Sequence, residues 1–307
     1  MTNSHLTDQL EERGYKGRVV PVQHLHDLQE GIEGHYKQGL IDKGLYQGYL
    51  SPFTFDVPAG LPDARSLIVV AVPQPQFEIV FTWHEKQFPV LVPPTYVHAE
   101  RIDKQAQDVL AEILEPEGYQ VARAVLPKKL LAVRSGLATY GKNNITYVPG
   151  MGSFHQLAAF YSDLPCQEDN WRAPQMMAAC ENCSACLRNC PTGAISSDRF
   201  LLHAERCIVY HNEQPGDVPF PKWMDPSWHN CLIGCMRCQN VCPQDRDFWQ
   251  WVEKGTEFSE GETALLVEGV PLEQLPAATV EKLEHVDLAR HASPLPRNLS
   301  VLLSQQC

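Results

Sequence analysis

The apolar positions of this chain change period several times, and each change predicts an element. From residue 5 to about 48, Leu6, Leu10, Leu25, Leu28 and Ile32 recur at loosely helical intervals broken by Gly31, Gly34 and Gly39, which predicts a helical segment. The run Ser66-Leu-Ile-Val-Val-Ala-Val-Pro73 is continuously apolar, rich in β-branched residues and bounded by Pro62-Asp and Pro73, so it predicts a buried strand. Ile102, Ala106, Val109, Leu110, Ile113 and Leu114 follow i, i+3, i+4, i+7 spacing over residues 97 to about 114, and Pro116 with Gly118 ends that helix. Residues 119–126 then read as strand, 127–137 as helix with proline in its first turn, and 144–148 and 154–161 as two more strands. After Pro243 the helical pattern returns at 263–267, 276–283 and 298–303, punctuated by Pro294 and Pro296. No repeat of solenoid period occurs in this tail.

Strand and helix alternate through residues 50 to 165, which predicts a sheet domain with helices packed on it. At 307 residues and 44% hydrophobic content the chain has room for two domains, or one with an inserted module, around an ordinary globular core. Its opening Met-Thr-Asn-Ser-His-Leu-Thr-Asp-Gln-Leu does not combine basic residues with an apolar core, and no run of about 18 apolar residues occurs. No membrane partner is expected.

The formal net charge is −12. Such a surface repels phosphate backbones, and the basic stretches are short, Lys128-Lys129 with Arg134 being an example, so no nucleic-acid partner is expected.

The cysteines change the picture most. Eight of the eleven fit a ferredoxin-type pattern: seven lie in the runs Cys180-x2-Cys183-x2-Cys186-x3-Cys190-Pro191 and Cys235-x2-Cys238-x3-Cys242-Pro243, and an eighth completes the second half. Two residues between cysteines let one loop aim successive thiolates at different irons of a cubane, while the cysteine before proline points toward a second cubane. The ligands therefore cross over. Cys180, Cys183, Cys186 and the distant Cys242 are expected on one [4Fe–4S] cluster, and Cys235, Cys238 and the distant Cys190 on the other. Its fourth ligand is Cys207 or Cys231, because a regular run would need cysteine at Leu232, and spacing does not choose between them. Structural zinc is the competing use of paired C-x2-C elements, but the C-x2-C-x2-C triplet and the two C-P endings suit it poorly. Cys166 and Cys307 have no partner at ligand spacing, and read as a buried thiol and a C-terminal residue. Metal-spaced thiols without a signal peptide imply a reducing compartment, so the expected localisation is cytoplasmic. With two clusters of about −2 each the loaded protein is more acidic still.

Two glycine motifs come close to nucleotide fingerprints. The stretch Gly136-Leu-Ala-Thr-Tyr-Gly141-Lys142-Asn143 nearly matches a phosphate loop, but Asn143 stands where a hydroxyl must hold magnesium and a helix precedes it. Gly150-Met-Gly152 lacks the third glycine and the acidic ribose partner of a dinucleotide site.

Read together, Arg134-Ser-Gly-Leu-Ala-Thr-Tyr-Gly141-Lys142-Asn143-Asn144, then Pro149-Gly-Met-Gly152-Ser153-Phe154, then Asp163-Leu-Pro, resemble the epoxyqueuosine reductase family. In that family A-G-L-G-x-x-G-K-N, G-S-[WF] and T-D-L elements precede C-x2-C-x2-C-x3-C-P-T-x-A-I. Here Cys190-Pro-Thr-Gly-Ala-Ile195 closes the match, and Cys207-Ile-Val-Tyr210 resembles the family's isolated C-I-S-Y ligand. The resemblance runs from the strand at Leu67 to Arg297-Asn298, which looks like the start of the family's helical tail. It implies that Cys207 is the eighth ligand and Cys231 is spare. It further implies a cobalamin between the sheet domain and the ferredoxin module, as in the similar reductive dehalogenases, with Gly141, Lys142, Asn143, Gly152, Ser153 and Phe154 lining the corrin pocket. The fold class expected is α+β or α/β, a central mixed sheet flanked by helices with a C-terminal bacterial-type two-cluster ferredoxin module. Its divisions are a helical segment at 1–50, a corrin-binding-like α/β domain at 51–170, the ferredoxin-like module at 171–250 and a helical tail at 251–307.

The chain departs from the family at two places. The aspartate expected about fourteen residues before the A-G-L element is absent, since the count lands among Val121-Ala122-Arg123-Ala124. The sequence also stops at Cys307, short of the helical-repeat tail those enzymes present to tRNA, and it lacks the export signal usual in dehalogenases. Tyr96, His98 and His155 are the candidate proton donors in place of the acid. His84 beside Trp83 is weighed with them and, as a lone histidine, reads as a surface residue. No D-x-H-x2-G motif is present to offer a ligand below cobalt.

The expected function is therefore an iron–sulfur, cobalamin-dependent reductase, fed by a low-potential donor such as a ferredoxin or flavodoxin. Its substrate is expected to be a non-tRNA small molecule or the corrinoid itself. The alternatives are a ferredoxin-type electron carrier without a corrin, and an epoxyqueuosine reductase with a different proton donor.

Overall fold

The apolar run at residues 66–73 is strand β2 (Ser66–Pro73), and its position explains its composition. In the computed structural model, which describes residues 1–305, β2 lies inside a four-stranded sheet of order β1-β2-β8-β5. β1 is Lys16–Pro21, β5 is Val121–Arg123 and β8 is His155–Ser162, and every pairing in this sheet is antiparallel. Val69 faces Arg18 on one side and Ala159 on the other. Alternate residues of β2 go to opposite layers, as strand geometry requires. Leu67, Val69 and Ala71 pack with Leu25 and Leu28 of α2 (Leu25–Lys37) and with Leu131 and Ala132 of α5 (Lys128–Arg134). Ile68, Val70 and Val72 pack with Leu6 and Leu10 of α1 (Asn3–Glu12) and with Ile102 and Leu110 of α4 (Ala99–Leu114). A strand covered on both faces has no polar side, hence the unbroken apolar run.

The N-terminal segment is not helical throughout, which corrects the expectation for residues 1–50. Gly14, in the left-handed region at φ 80°, ends α1, and the chain turns directly into β1. Gly17 lets the two elements touch, because a Cβ there would stand 2.4 Å from Leu10 Cδ1. A short α3 (Lys43–Leu45) follows later in the segment.

A second sheet has order β4-β3-β9, and the mixed pairing expected of the fold is found here. β3 (Gln76–Trp83) and β4 (Lys86–Val92) form a hairpin, and β9 (Val252–Phe258) joins β3 in parallel with a bulge between Glu78 and Val80. The hairpin turn is His84-Glu85, both in the left-handed region, and His84 donates its backbone N–H to Glu260. Phe77, Ile79, Phe81 and Phe258 pack against Leu266 of α8 (Glu260–Glu268), Leu283 of α9 (Ala277–His285) and Leu299 of α10 (Leu295–Ser304).

The contacts divide the chain into two compact units that do not follow sequence order. Unit 1 comprises Met1–Pro73, Glu100–Ser184 and Ser197–Leu202; unit 2 comprises Gln74–Ala99, Ala185–Ser196 and the residues from His203 on. Among the described residues no helix is long and apolar enough to cross a membrane. Cys307 lies outside the described residues.

Candidate metal centre

Unit 2 gathers cysteines from three separate stretches of chain. Cys190 follows the short helix α6 (Ala185–Asn189), Cys207 caps the N-terminus of α7 (Ile208–Asn212), and Cys235 ends the loop Cys231-Leu-Ile-Gly234. Burial, then the neighbouring Cys235 and Cys190, push the Cys207 thiol up to about 12, while the backbone N–H groups of Val209 and Tyr210 pull the other way. Burial likewise raises Cys235 to about 11, opposed by the N–H and guanidinium of Arg237, with Cys190 adding to the rise. Cys207 and Cys235 are therefore desolvated thiols with amide donors beside them, and Cys190 is their neighbour. Such thiols are costly to ionise alone, and a bound metal ion replaces the proton with a cation. N–H groups aimed at sulfur are the surroundings that iron–sulfur thiolates use.

Cys231 is fully buried beside Cys235, which with desolvation raises its thiol well above the ordinary range, and the Met236 N–H is aimed at its sulfur. A tetrahedral zinc site with Zn–S of 2.3 Å would bring sulfurs to about 3.8 Å of each other. Among the described residues of unit 2, no three cysteine sulfurs lie within 4.8 Å of one another.

The remaining ligands of the sequence pattern divide between the units. Cys180 and Cys183 belong to unit 1, on a tight turn in which the Cys183 N–H reaches the Cys180 carbonyl at 3.3 Å. Cys186 lies on α6, Cys238 follows Cys235, and Cys242 precedes the turn Pro243–Phe248, all in unit 2.

The loops of unit 2 are held by a buried amide chain. The side chain of Asn212, at the end of α7, grips Gly234 through both backbone groups: Nδ2 donates to the Gly234 carbonyl at 2.6 Å, and Oδ1 accepts the Gly234 N–H at 3.2 Å. Asn298 on α10 then donates to the Asn212 carbonyl at 2.8 Å and the Leu232 carbonyl at 3.0 Å. Asn212 is 0% and Asn298 1% exposed, so each amide would be expensive to leave unpaired. Arg297 completes the clamp, donating to the carbonyls of His211, Gln214 and Pro215. Gly234, at φ 76°, leaves room for Tyr96, whose Cε2 would lie 2.5 Å from an added Cβ.

The three candidate proton donors occupy different surroundings. Tyr96 donates its phenol O–H to Glu213; burial first, then the Glu213 carboxylate, raise it well above the usual range, so it keeps its proton. His98 is buried in unit 2 in the left-handed region, its ring edge-on to Phe77 at 5.2 Å. His155 lies in unit 1, 3% exposed, and burial pulls it down to about 4. Its Nδ1 must carry the hydrogen, because its partner at 3.2 Å is the Gly152 carbonyl, and Nε2 accepts from the Thr146 hydroxyl at 3.1 Å. At neutral pH it has no spare proton.

The stretch expected to meet a corrin lies in unit 1, between and after β6 (Thr139–Tyr140) and β7 (Thr146–Tyr147). A Cβ on Gly141 would stand 2.4 Å from Asn143 Oδ1 and 2.5 Å from Tyr147 Cε2, so the glycine makes room for its own turn. Asn143 is buried, accepting the Ile145 N–H and donating to the Tyr147 hydroxyl. Lys142 Nζ donates to the Cys183 carbonyl at 2.7 Å. Gly152, at φ 54°, accepts the Val148 N–H, and Ser153 and Phe154 are buried. What this stretch can present to a ligand is backbone and the exposed Pro149-Gly150 turn.

The amide clamp and Glu213, the partner of Tyr96, were not legible as functional residues in the sequence. Asn298 carried a signal, being an asparagine set into the apolar face of a helix. Asn212 carried none, since only the fold shows that it is enclosed.

Comparison with known proteins supports the same centre. A family described as 4Fe–4S double cluster binding domain matches residues 179–245. The epoxyqueuosine reductase of Pseudomonas aeruginosa is 34% identical over 151 residues, covering 48% of this chain and 40% of that protein. That of Atelocyanobacterium thalassa is 26% identical over 224 residues, covering 69% and 70%. The aligned stretch thus spans about two fifths of the Pseudomonas relative. Among solved structures, an epoxyqueuosine reductase from Streptococcus thermophilus matches with TM-score 0.70 at 16% identity, over 99% of this chain and 81% of that one. An epoxyqueuosine reductase crystallised with an epoxyqueuosine-modified tRNA stem loop matches with TM-score 0.67 at 22% identity, over 98% and 80%. At these identities the likeness establishes the fold. The chain therefore shares the fold of these enzymes and carries a stretch that matches a 4Fe–4S double cluster binding domain.

Proposed function

We propose that this epoxyqueuosine reductase-like chain is an oxidoreductase that reduces an epoxyqueuosine-type substrate with electrons carried by two [4Fe–4S] clusters. Cys180, Cys183, Cys186 and Cys242 hold the first cluster, and Cys190, Cys207, Cys235 and Cys238 the second. The observation that supports the reading is the combination in one chain of the double-cluster match at 179–245 with a fold shared along 98% or more of the chain with enzymes of that name.

Removing an epoxide oxygen as water consumes two electrons and two protons, whereas a cubane passes electrons singly. Cobalamin, which the sequence resemblance implies, would supply a cobalt centre able to collect them at low potential. The chain's own part is to hold the clusters, to present the exposed Pro149-Gly150 turn, and to keep protons where they are needed. Of the three candidate donors, Tyr96 is the one whose proton is held in a hydrogen bond to a carboxylate, Glu213. A low-potential ferredoxin or flavodoxin is the proposed electron source.

The test is a single-turnover assay. Anaerobically reconstituted protein with cobalamin and dithionite is given a tRNA stem loop carrying epoxyqueuosine, and separately the free epoxyqueuosine nucleoside. Loss of one oxygen from the stem loop, seen by mass spectrometry, is the expected result. Conversion of neither, with both clusters loaded and reducible, overturns the reading.

The charge of −12 and the missing acid at 121–124 favour a second reading, in which the same electron path serves a small molecule or the corrinoid itself. Conversion of the nucleoside alone, or a saturable one-to-one shift of the hydroxocobalamin spectrum without substrate turnover, would select it. Intact clusters with no corrin affinity would leave a ferredoxin-type carrier.

A further inference from the structure

The element 140–144 is tied, within unit 1, to the chain on both sides of the Cys180–Cys183 turn. Ahead of Cys180, the Tyr140 N–H bonds the Gln175 carbonyl at 2.9 Å, and the Met177 N–H bonds the Tyr140 carbonyl at 2.8 Å. Beyond the motif, Asn144 Nδ2 donates to the Phe200 carbonyl at 2.7 Å, and the Leu202 N–H donates to Asn144 Oδ1 at 2.5 Å. Between these ties, the Lys142 ammonium is fixed on the carbonyl of Cys183 itself, a partly buried contact at 2.7 Å. A solvated surface lysine would have no such anchor.

We propose that Lys142 sets the reduction potential of the first cluster by holding a positive charge against the loop that carries Cys180 and Cys183. This rests on the two-cluster reading above. A cubane gains one negative charge on reduction, and its potential follows net charge, hydrogen bonding and solvent exposure. A cation fixed on the backbone carbonyl of a ligand residue stabilises the reduced form, and partial burial keeps salt from screening it fully. The effect raises the potential of the cluster that Cys183 helps to hold.

The experiment is an anaerobic redox titration of the full chain, reconstituted with iron and sulfide and followed by absorption and EPR, for the wild type, Lys142→Met, Lys142→Gln and Lys142→Arg. In Lys142→Met one of the two reduction waves is expected to move to more negative potential at unchanged iron content. Lys142→Arg should hold the wild-type position, and the shift should shrink as salt rises. Lys142→Gln separates charge from hydrogen bonding, since it keeps a donor but no charge; it should behave as methionine does, and it carries the test if Lys142→Met fails to load the first cluster. Unchanged waves in a fully loaded Lys142→Gln overturn the proposal. A wild type that binds only one cluster, or zinc, would instead overturn the two-cluster reading on which it rests.

Discussion

Unit 1 and the cysteine-bearing stretch of unit 2 reach defined geometry by opposite means. In unit 1 a four-stranded sheet has apolar residues on both faces and helices on each, so Phe160 and Leu67 are completely enclosed. In unit 2 the chain between Ala185 and Trp251 forms only the two five-residue helices α6 and α7 and short turns. No helix that short is stable by itself. Asn212, Asn298 and Arg297 supply the order instead, through hydrogen bonds to the backbone. Shape can therefore come from area removed from water or from a few obligatory polar contacts, and the second route is sensitive to single atoms.

The largest expected effect concerns the cysteines. Cys207→Ala should halve the iron bound per chain and remove one EPR signal, whereas Cys231→Ala should retain both clusters. The reverse pattern would exchange the ligand between them. Next in size is Phe160→Ala, which deletes a fully enclosed ring and should cost about 3–5 kcal/mol in urea unfolding. Its iron content below the transition should equal the wild type's; a loss there would show that the metal centre depends on the sheet of unit 1.

A somewhat smaller effect tests the polar route. Asn298→Asp keeps the size but removes the Nδ2 donor from the carbonyls of Asn212 and Leu232, at about 1–3 kcal/mol. It should speed loss of the second cluster to a chelator while leaving the first cluster's loss rate alone. Equal acceleration of both would mean that the clamp is not local.

The pH dependence is smaller still over the accessible range. His155 falls from an ordinary 6.5 to about 4 in the fold because burial opposes its charge. Between those values the unfolded chain binds the proton and the folded one does not. Its contribution is complete above pH 6.5 and fades as pH drops toward 4, a loss on the order of 3 kcal/mol at most. A His155→Gln variant should flatten that part of the stability profile of unit 1; an unchanged slope would place the titration elsewhere.

Much of unit 1 could be read from the sequence because its rules are local. The run at 66–73, the helical spacing from Ile102 to Leu114 and the strand around Ala158 each carry their own signal. β1 does not, since Gly17-Arg18 interrupts it and only Val19-Val20 is strongly apolar. β3 and β4 escaped for another reason, their turn being His84-Glu85 and not a glycine-bearing pair. β9 is polar along most of its length, and nothing in its own residues names a parallel partner near residue 80. In the metal centre, ligand spacing is a local property and was legible, apart from the choice between Cys207 and Cys231. The clamp was not, because Asn212 and Asn298 matter only through where the chain folds back. Lys142 shows the same limit: resemblance pointed it at a corrin, and the fold sets its ammonium on the Cys183 carbonyl.

The parallel pairing of β3 with β9 has a consequence for how the protein is made. β3 leaves the ribosome long before the strand that completes its sheet, and longer still before Asn298 can reach Asn212. At roughly 5–20 residues per second the wait is on the order of tens of seconds. During it, the hairpin shows an open edge and the cysteines of α6 and α7 are translated with no clamp to gather them. The amide clamp beside those thiols is thus completed only after synthesis of α10.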